Sequence, residues 1–391
     1  MTSSSERLFT PAFVALGLSE LAYFSAAGLL IGLTPFFVTG PLGGDEAGVG
    51  LSGAAFGVTT LILRPYAGRL ADRRGRRPLL IGGALLVAMV MLGHLLAANL
   101  VVLLVLRLLL GVAEGFYFVA GFAALADLAP PGRTGEALSI NSLALYLGLA
   151  LGPLLGELLL DTGGFTAAWI GGATLALVAM ILAIRLPETL PPRQTDARDS
   201  EAAPLIHRAA IGPGVSLFTG VAAMSGYLFL AGPHAEGLGL DAWSVLFLLF
   251  SGVVIAIRIG FARLPDRVPP LRPGAAALGL CATGLLVAAL ASGVVGLLVG
   301  TSLLAAGVAF MTPALFAATF ARVPASERGA ASGTATFFID LGFGGGPLVL
   351  GFVAAASNSP LAFAAGAAIA WAGALGTLVM PHVRRQAAPA S

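Results

Sequence analysis

The chain has 391 residues, of which 58% are hydrophobic and 10% are charged, and its mean hydropathy is +0.95. A composition this apolar excludes an ordinary soluble globular domain and predicts membrane-spanning helices. The net charge of +2 at pH 7 indicates no class of partner, because the charged residues are sorted between loops. The single cysteine, Cys281, excludes an intramolecular disulfide.

The apolar stretches predict twelve helical spans, each near the ~20 residues that cross a bilayer. The first run is too long for the core of a cleavable signal peptide and is interpreted as the first span. A segment rich in proline and charge, 187–213, predicts a flexible linker. The spans are expected near residues 9–38, 49–68, 79–97, 101–128, 136–160, 167–186, 214–233, 242–262, 274–291, 295–321, 329–356 and 361–380.

The arginines alternate between the predicted loops. Loops after even-numbered spans carry them, as at 69–77, Arg133 and Arg322, whereas loops after odd-numbered spans carry only acids or no charge. Positively charged loops stay in the cytoplasm, so both termini are expected there. The predicted organisation is a six-helix bundle at 1–186, a cytoplasmic linker at 187–213, and a second six-helix bundle with a short tail at 214–391.

The two halves of the chain repeat one another. A shift of 194 positions, which places Arg64 on Arg258, aligns them without a gap. Repeated six-span units related by an axis along the membrane normal are a transporter architecture, with the substrate site between the halves near the midplane. Other matched pairs are Leu70 and Leu264, Asp72 and Asp266, Arg73 and Arg267, Pro130 and Pro324, Gly135 and Gly329, Gly148 and Gly342, Gly152 and Gly346, Pro153 and Pro347, and Pro187 and Pro381.

The densest charge lies at Gly68–Pro78, which reads Gly-Arg-Leu-Ala-Asp-Arg-Arg-Gly-Arg-Arg-Pro between two apolar runs. This pattern resembles the loop between helices two and three of the major facilitator superfamily of secondary transporters. The resemblance implies an all-α integral membrane protein, with twelve transmembrane helices in two pseudo-symmetric six-helix bundles. It also implies a charge cluster that latches the halves when the cytoplasmic side is closed; the alternative is a basic loop that only sets topology. The gating residues expected on this basis are Gly68, Asp72, Arg73, Gly75, Arg76 and Asp127.

Span five carries a second motif, Gly-Leu-Ala-Leu-Gly-Pro-Leu-Leu-Gly, which resembles that of the superfamily's antiporters and drug exporters. Glycines four residues apart leave a smooth face that another backbone approaches closely, and the proline frees one backbone hydrogen bond. Glu157 replaces a glycine of the motif, which weakens this likeness, and its place near the end of the span allows a hydrated carboxylate. The motif residues are Gly148, Gly152, Pro153 and Gly156.

Charges inside the spans are costly in hydrocarbon and therefore face protein or water. Arg107, which resembles the superfamily's motif arginine in span four, lies seven residues before Glu114 on the same helix face. The candidates for proton coupling are Glu114, which is preferred, then Glu20, then Asp340, together with Arg107. The alternative is that Glu114 only neutralises Arg107.

Three other polar residues of the spans have structural interpretations. Arg64 and Arg258 are expected to pair with nearby acids or carbonyls. His94, placed near mid-membrane, is expected to be a packed polar residue and not a proton relay.

Superfamily members line their cavity with spans one, four, seven and ten. By this resemblance Glu20 and Glu114 face the cavity. We therefore expect a proton-coupled antiporter that exports a small organic molecule, a drug-like compound or a metabolite, by alternating access. The alternative is a proton-coupled symporter that imports a sugar or metabolite. The expected apolar and aromatic cavity wall is Tyr23, Phe24, Tyr117, Tyr227, Met311 and Phe316.

Two other functional classes are disfavoured. An integral-membrane enzyme would need a metal set or a nucleophile arrangement, but the four histidines are scattered, so no enzyme activity, metal or cofactor is expected. A non-transporting sensor of the same fold would be expected to have lost the acids inside the spans. The expected partners are a small-molecule substrate, protons and the lipid of a bacterial cell membrane, with no nucleic acid, and the expected state is a monomer.

Overall fold

The computed structural model describes residues 8–130, 133–190, 206–260, 271–323 and 327–380. These ranges are built from helices and short connections. The predicted matches at Leu264, Asp266, Arg267, Pro324 and Pro381 lie outside the described residues. The helices are α1 (Pro11–Thr39), α2 (Glu46–Arg74), α3 (Arg76–Gly93), α4 (Leu100–Leu128), α5 (Thr134–Ile184), α6 (Arg208–Gly237), α7 (Val245–Gly260), α8 (Leu271–Leu290), α9 (Val294–Phe320), α10 (Arg328–Ala356) and α11 (Ser359–Val379).

Helix α5 contributes two spans, because it is broken in its middle. Gly163 and Gly164 have non-helical backbone angles, and Gly164 has φ of +66°, which glycine adopts without steric cost. The break falls where the sequence predicts the loop between spans five and six. With α5 counted as two arms, the described helices supply the twelve predicted spans. Ten helices are long and apolar enough to cross a membrane, and α7 has 16 described residues.

The sequence chemistry explains where several helices begin. Asp45 accepts a hydrogen bond from the Gly48 amide at 3.0 Å, and Asn99 accepts one from Val102 at 3.0 Å, so both cap the first turn of the helix that follows. Helix α6 starts at Arg208, six residues before the predicted start at 214, so 208–213 is helical and not part of a linker. Residues 191–205 of that linker lie outside the described ranges.

The glycine motif of span five packs against α1. A Cβ on Gly148 would lie 2.6 Å from the Phe24 carbonyl carbon, and one on Gly152 would lie 2.8 Å from that of Gly28. The predicted smooth face is therefore the site where these two backbones meet. The repeat makes the same contact in the second half, where Gly342 meets the backbone of α6 at Ala222.

Candidate functional site

Four charged side chains lie close to the middle of the membrane-spanning helices. Their helices α1, α2, α4 and α10 each have 29 residues, with midpoints at 25, 60, 114 and 342. Glu20, Arg64, Glu114 and Asp340 each lie within five positions of these midpoints. A charge at that depth is costly unless it is paired or faces water, so these residues mark the candidate site.

Arg64 joins the two halves at this level. Its Nε lies 2.6 Å from one carboxylate oxygen of Asp340, and its Nη2 donates to the other at 2.7 Å. The guanidinium also lies 4.8 Å from the ring centre of Phe118 on α4, at a cation–π distance. Side-chain exposure is 20% for Arg64 and 4% for Asp340, so the pair is largely shielded from solvent. The expectation that Arg64 pairs with an acid agrees with this contact.

Glu114 shares this environment. The Tyr23 hydroxyl, Arg64 and Asp340 lie close enough to Glu114 to act on its charge. Arg64 therefore pairs with Asp340 of the other half and lies within electrostatic range of Glu114. Asp340, the least favoured candidate in the sequence, has the closest cationic partner of the three acids.

Glu20 lies beside this group with a neutral partner. The Asn141 amide donates a hydrogen bond to its carboxylate, and Glu114 is the nearest charge that acts on it. Tyr23 and Tyr117 stack next to it, with ring centres 3.7 Å apart. The Tyr117 hydroxyl is 2.7 Å from the Ser19 hydroxyl, so this polar wall is hydrogen-bonded from behind.

Arg107 lies apart from the other candidates, and the structure shows no ion pair between it and Glu114, which the alternative interpretation would favour. Arg107 is 2% exposed, and its positive charge acts on the nearby imidazole of His94. Seven residues put Arg107 and Glu114 on one face, but the rise of about 10 Å separates them along the axis. His94 is not mid-span either. It begins the 3₁₀ turn after α3, where its Nδ1 is 2.8 Å from the Val90 carbonyl oxygen.

The expected cavity wall is divided by the structure. Tyr23 and Tyr117, each 1% exposed, adjoin the acidic group, and Phe24 packs against Tyr23. Tyr227 is fully buried, and its hydroxyl is 2.6 Å from that of Thr301 on α9, so it packs inside the second half. Met311 is also fully buried, against Gly220 of α6, and Phe316 packs on Phe320 of its own helix. The last three therefore have packing roles in this conformation.

A second arginine joins the halves on the other flank. Arg258 of α7 donates to the Ser142 hydroxyl at 3.2 Å and to the Tyr146 hydroxyl at 3.3 Å, both on α5. Its guanidinium lies 4.9 Å from the centre of the Tyr146 ring. The repeat relates the two bridges, since the shift of 194 places Arg64 on Arg258 and Tyr146 on Asp340.

The halves are closed on the side opposite the basic turn, which we call the far side. Here α2 and α10 touch backbone to backbone, and a Cβ on Gly50 would lie 2.5 Å from the Pro347 carbonyl oxygen. Trp243, which is 3% exposed, packs against Phe36 with ring centres 5.0 Å apart. These contacts separate the candidate site from the far side, and we call them the far-side seal.

Glu157 belongs to this seal, so the interpretation of a hydrated carboxylate is wrong. It is 9% exposed, and the Ser244 hydroxyl donates a hydrogen bond to it from the other half. The shift of 194 places Ser244 on Gly50 and Gly351 on Glu157, and Gly50 and Gly351 are themselves in contact. The acid that departs from the motif is therefore a far-side contact between halves.

The side of the basic turn, which we call the arginine side, is more open. A Cβ on Gly68 would meet no atom within 4 Å, and Asp72 has 73% of its side chain exposed. The contacts between the halves described above therefore lie at mid-depth and on the far side.

The predicted gating cluster forms inside the first half. Arg76 contacts Asp72 at 3.3 Å and Asp127 at 3.1 Å, and its Nη1 donates to the Ala71 carbonyl at 3.0 Å. These groups lie on α2, α3 and α4, so the cluster does not join the halves in this conformation. Its latch role stays a prediction for the state in which the arginine side is closed.

Glu188 belongs to this cluster and was missed by sequence reasoning. It follows α5, and its carboxylate accepts hydrogen bonds from the amides of Arg76 at 2.9 Å and Arg77 at 3.2 Å, at the start of α3. Gly75 has φ of +99°, and a Cβ there would collide with this carboxylate, which explains the glycine. The signal was an acid at the end of span six, on the same side as the basic turn.

Replacing Glu188 by glutamine is expected to lower the melting temperature at pH 7. Burial acts to raise the pKa of Glu188, but amide donors including Arg76 and Arg77 outweigh it and hold that pKa below its usual range. The stabilisation is therefore present above the unfolded pKa of about 4.3 and is lost as the pH falls through the lower folded pKa. Thermal unfolding should show a difference from wild type that stays constant from pH 7 to about pH 5 and narrows as the pH falls below about 4.3. The control Asp241→Asn, at an exposed acid, should show none; a pH-independent difference for Glu188→Gln would contradict this role.

A helical membrane protein of two repeated halves, with charged bridges between them at mid-depth, has the architecture of a secondary transporter. The family model of the Major Facilitator Superfamily matches residues 16–347. The chain belongs to this superfamily.

Known relatives extend over the same length. An uncharacterized MFS-type transporter of Escherichia coli (strain K12), YhhS, is 27% identical over 369 residues, covering 91% of this chain and 89% of the relative. An uncharacterized MFS-type transporter of Burkholderia pseudomallei (strain 1106a) is 31% identical over 379 residues, covering 92% and 89%. The crystal structure of a bacterial homolog to the human lysosomal transporter Spinster, in an inward-facing and occupied conformation, has a TM-score of 0.70 at 17% identity, covering 95% and 96%.

Proposed function

We propose that the protein is a proton-coupled antiporter that exports a small organic molecule by alternating access. In this proposal the arginine side is cytoplasmic, both termini lie there, and the protein sits in the bacterial cell membrane. The observation that carries the proposal is the ion pair between Arg64 of one half and Asp340 of the other, with Glu114 within electrostatic range of both.

The charge balance of this group supports coupling to a proton. Three carboxylates, those of Glu20, Glu114 and Asp340, lie near one guanidinium, so negative charge is left over whichever pair forms. A proton is the smallest ion that neutralises it, and an uncompensated charge at this depth is costly. Because Asp340 and Arg64 lie in different halves, opening the far side must separate them. Arg64 then has Glu114 as its remaining acidic neighbour. A proton that Glu114 holds while Arg64 pairs with Asp340 must therefore leave Glu114 when that pair separates.

The direction of transport is inferred from the span-five motif and from the access route. Gly148, Gly152 and Pro153 resemble the motif of antiporters and drug exporters and pack on α1 next to the site. With the far side sealed, the arginine side is the end from which an exporter would load its substrate. The aromatic wall of Tyr23 and Tyr117 beside an acidic group suits a drug-like molecule or metabolite that is partly apolar.

Substituting Glu114 by glutamine is expected to abolish transport driven by a pH gradient while exchange without a gradient persists. The substitution keeps the shape of the side chain but removes its proton exchange. Reconstituted protein would first be tested by counterflow with a panel of drug-like compounds, sugars and metabolites to find a substrate. Uptake and exchange of that substrate would then be compared with and without a pH gradient.

The control is Glu236→Gln, the same substitution at an exposed acid beyond the site, which should behave as wild type. Gradient-driven transport that survives in Glu114→Gln would rule out Glu114 as the carrier and make Glu20→Gln the next variant. Substrate movement in the same direction as the proton would replace export by the symport alternative.

A further inference from the structure

We propose that Arg258 binds the anionic group of the transported molecule, so that the substrate is an organic anion carrying a carboxylate, sulfonate or phosphate. The proposal deepens the proposed function and rests on it, since it assumes that small organic molecules enter the site between the halves.

Arg258 is a cation without a counter-charge among the described residues. Its partners are the hydroxyls of Ser142 and Tyr146, at the long distances of 3.2 and 3.3 Å, and its Nε is buried with no hydrogen-bond partner. The side chain is half-buried at the boundary between the halves. A guanidinium carries five N–H donors in a planar fork, and neutral hydroxyls occupy only part of that capacity.

The internal repeat shows what is missing. Arg64, the counterpart of Arg258, has its charge balanced by Asp340 at 2.6 Å. At the position that corresponds to Asp340, the first half has Tyr146. One bridge is therefore an ion pair, and the other is the same arginine with the carboxylate replaced by a phenol.

The neighbouring acids do not supply that charge. Glu20 receives its hydrogen bond from Asn141, which adjoins Ser142 on α5, and the charge that acts on it is Glu114. Glu114 and Asp340 face Arg64. An unpaired arginine within a membrane span is costly, and such residues mark substrate or ion pathways. The fork of Arg258 matches an oxyanion with two oxygens, and Arg258 lies in the last described turn of α7, towards the arginine side.

A role for Arg258 as a simple tie between the halves predicts different variant behaviour. If the tie through Tyr146 were its purpose, then Tyr146→Phe would resemble Arg258→Gln. If Arg258 binds an anion, Tyr146→Phe should leave binding nearly intact, since the cation remains. Tyr146→Asp should abolish binding, because it supplies the carboxylate that the other half already has at Asp340.

The experiment measures thermal stability of the purified full chain in detergent at fixed ionic strength, titrated with charge-matched probes. The anionic probes are benzoate, 2-naphthoate, 2-naphthalenesulfonate and 2-naphthyl phosphate, and the comparison probes are 2-naphthamide and 2-naphthylmethylammonium. We expect at least one naphthyl anion to stabilise the wild type more than the neutral and cationic probes do. Its affinity should fall about tenfold or more in Arg258→Gln and Tyr146→Asp, as expected for a lost charge-assisted contact, and change little in Tyr146→Phe.

Several outcomes would overturn the assignment. These are no anion stabilising the wild type, equal stabilisation by the neutral or cationic probe, an unchanged anion response in Arg258→Gln, or a loss in Tyr146→Phe equal to that in Arg258→Gln. The assay contains no pH gradient, so its result is separate from that of Glu114→Gln. Failure here with a positive Glu114 result leaves a proton-coupled antiporter whose substrate is not an anion.

Discussion

Replacing Asp340 by asparagine is expected to open the far side and to stop gradient-driven transport. Asp340 is 4% exposed and forms the ion pair with Arg64 that joins the halves at mid-depth. Removing one partner of a buried pair costs about 3–5 kcal/mol when the other charge is left uncompensated. Glu114 remains near Arg64 and offsets part of this cost. Opening the far side separates this pair in any case, so the loss falls on the closed state. At about 1.4 kcal/mol per factor of ten, the equilibrium should shift about tenfold or more towards the open state.

The opening can be measured by cysteine labelling. The chain's one native cysteine, Cys281, is buried, so a cysteine placed in the far-side seal reports with little background. Ser244→Cys is a small change at a residue that is 1% exposed in the closed conformation. A membrane-impermeant maleimide added from the far side should label it much faster when Asp340→Asn is also present.

Two matched variants sharpen this test. The double variant Arg64→Gln with Asp340→Asn removes both partners of the ion pair between the halves, and Glu114 stays within the first half in both states. Labelling should therefore return towards the wild-type rate while gradient-driven transport stays absent. Glu136→Gln removes the partner of Arg133 in an exposed pair on the arginine side, and exposed pairs contribute little, so it should label as wild type. Unchanged labelling in Asp340→Asn would show that the ion pair does not hold the far side closed.

The spans could be predicted from sequence because bilayer thickness demands a length and composition that one segment shows by itself. The break at Gly163 and Gly164 was likewise visible as the end of one apolar run and the start of the next. The glycines of span five predicted a close backbone contact, though they could not name α1 as the partner. Local features were therefore predictable wherever the physical cause lies within one stretch of chain.

The charge partners could not be predicted in this way. Arg64 and Asp340 are 276 positions apart, and their contact depends on how two bundles meet. The alternative in which Glu114 neutralises Arg107 finds no ion pair, since the two residues are about 10 Å apart along the axis. The sequence left Glu157 open to hydration from its depth alone, because its partner Ser244 lies on the opposite half. The shift of 194 relates the two arginine bridges between the halves. It does not tell which helices meet there, because that depends on how the two folded bundles pack together.

Substituting Gly57 by leucine is expected to prevent closure of the far side. A Cβ on Gly57 would collide with the Gly344 Cα on α10, and that backbone atom has no rotamer by which to move away. Overpacking of this kind costs about 1–3 kcal/mol or more. Because the collision exists only where α2 and α10 touch, the cost falls on the closed state and shifts the equilibrium roughly 5- to 150-fold or more towards the open one. In the Ser244→Cys background, labelling from the far side should rise accordingly, and transport should fall because the cycle cannot pass through this conformation.

The control is Gly252→Leu on α7, where a Cβ would meet no atom within 4 Å, so labelling should stay at the wild-type rate. Wild-type labelling and transport in Gly57→Leu would mean that the contact of α2 with α10 is not part of the transport cycle.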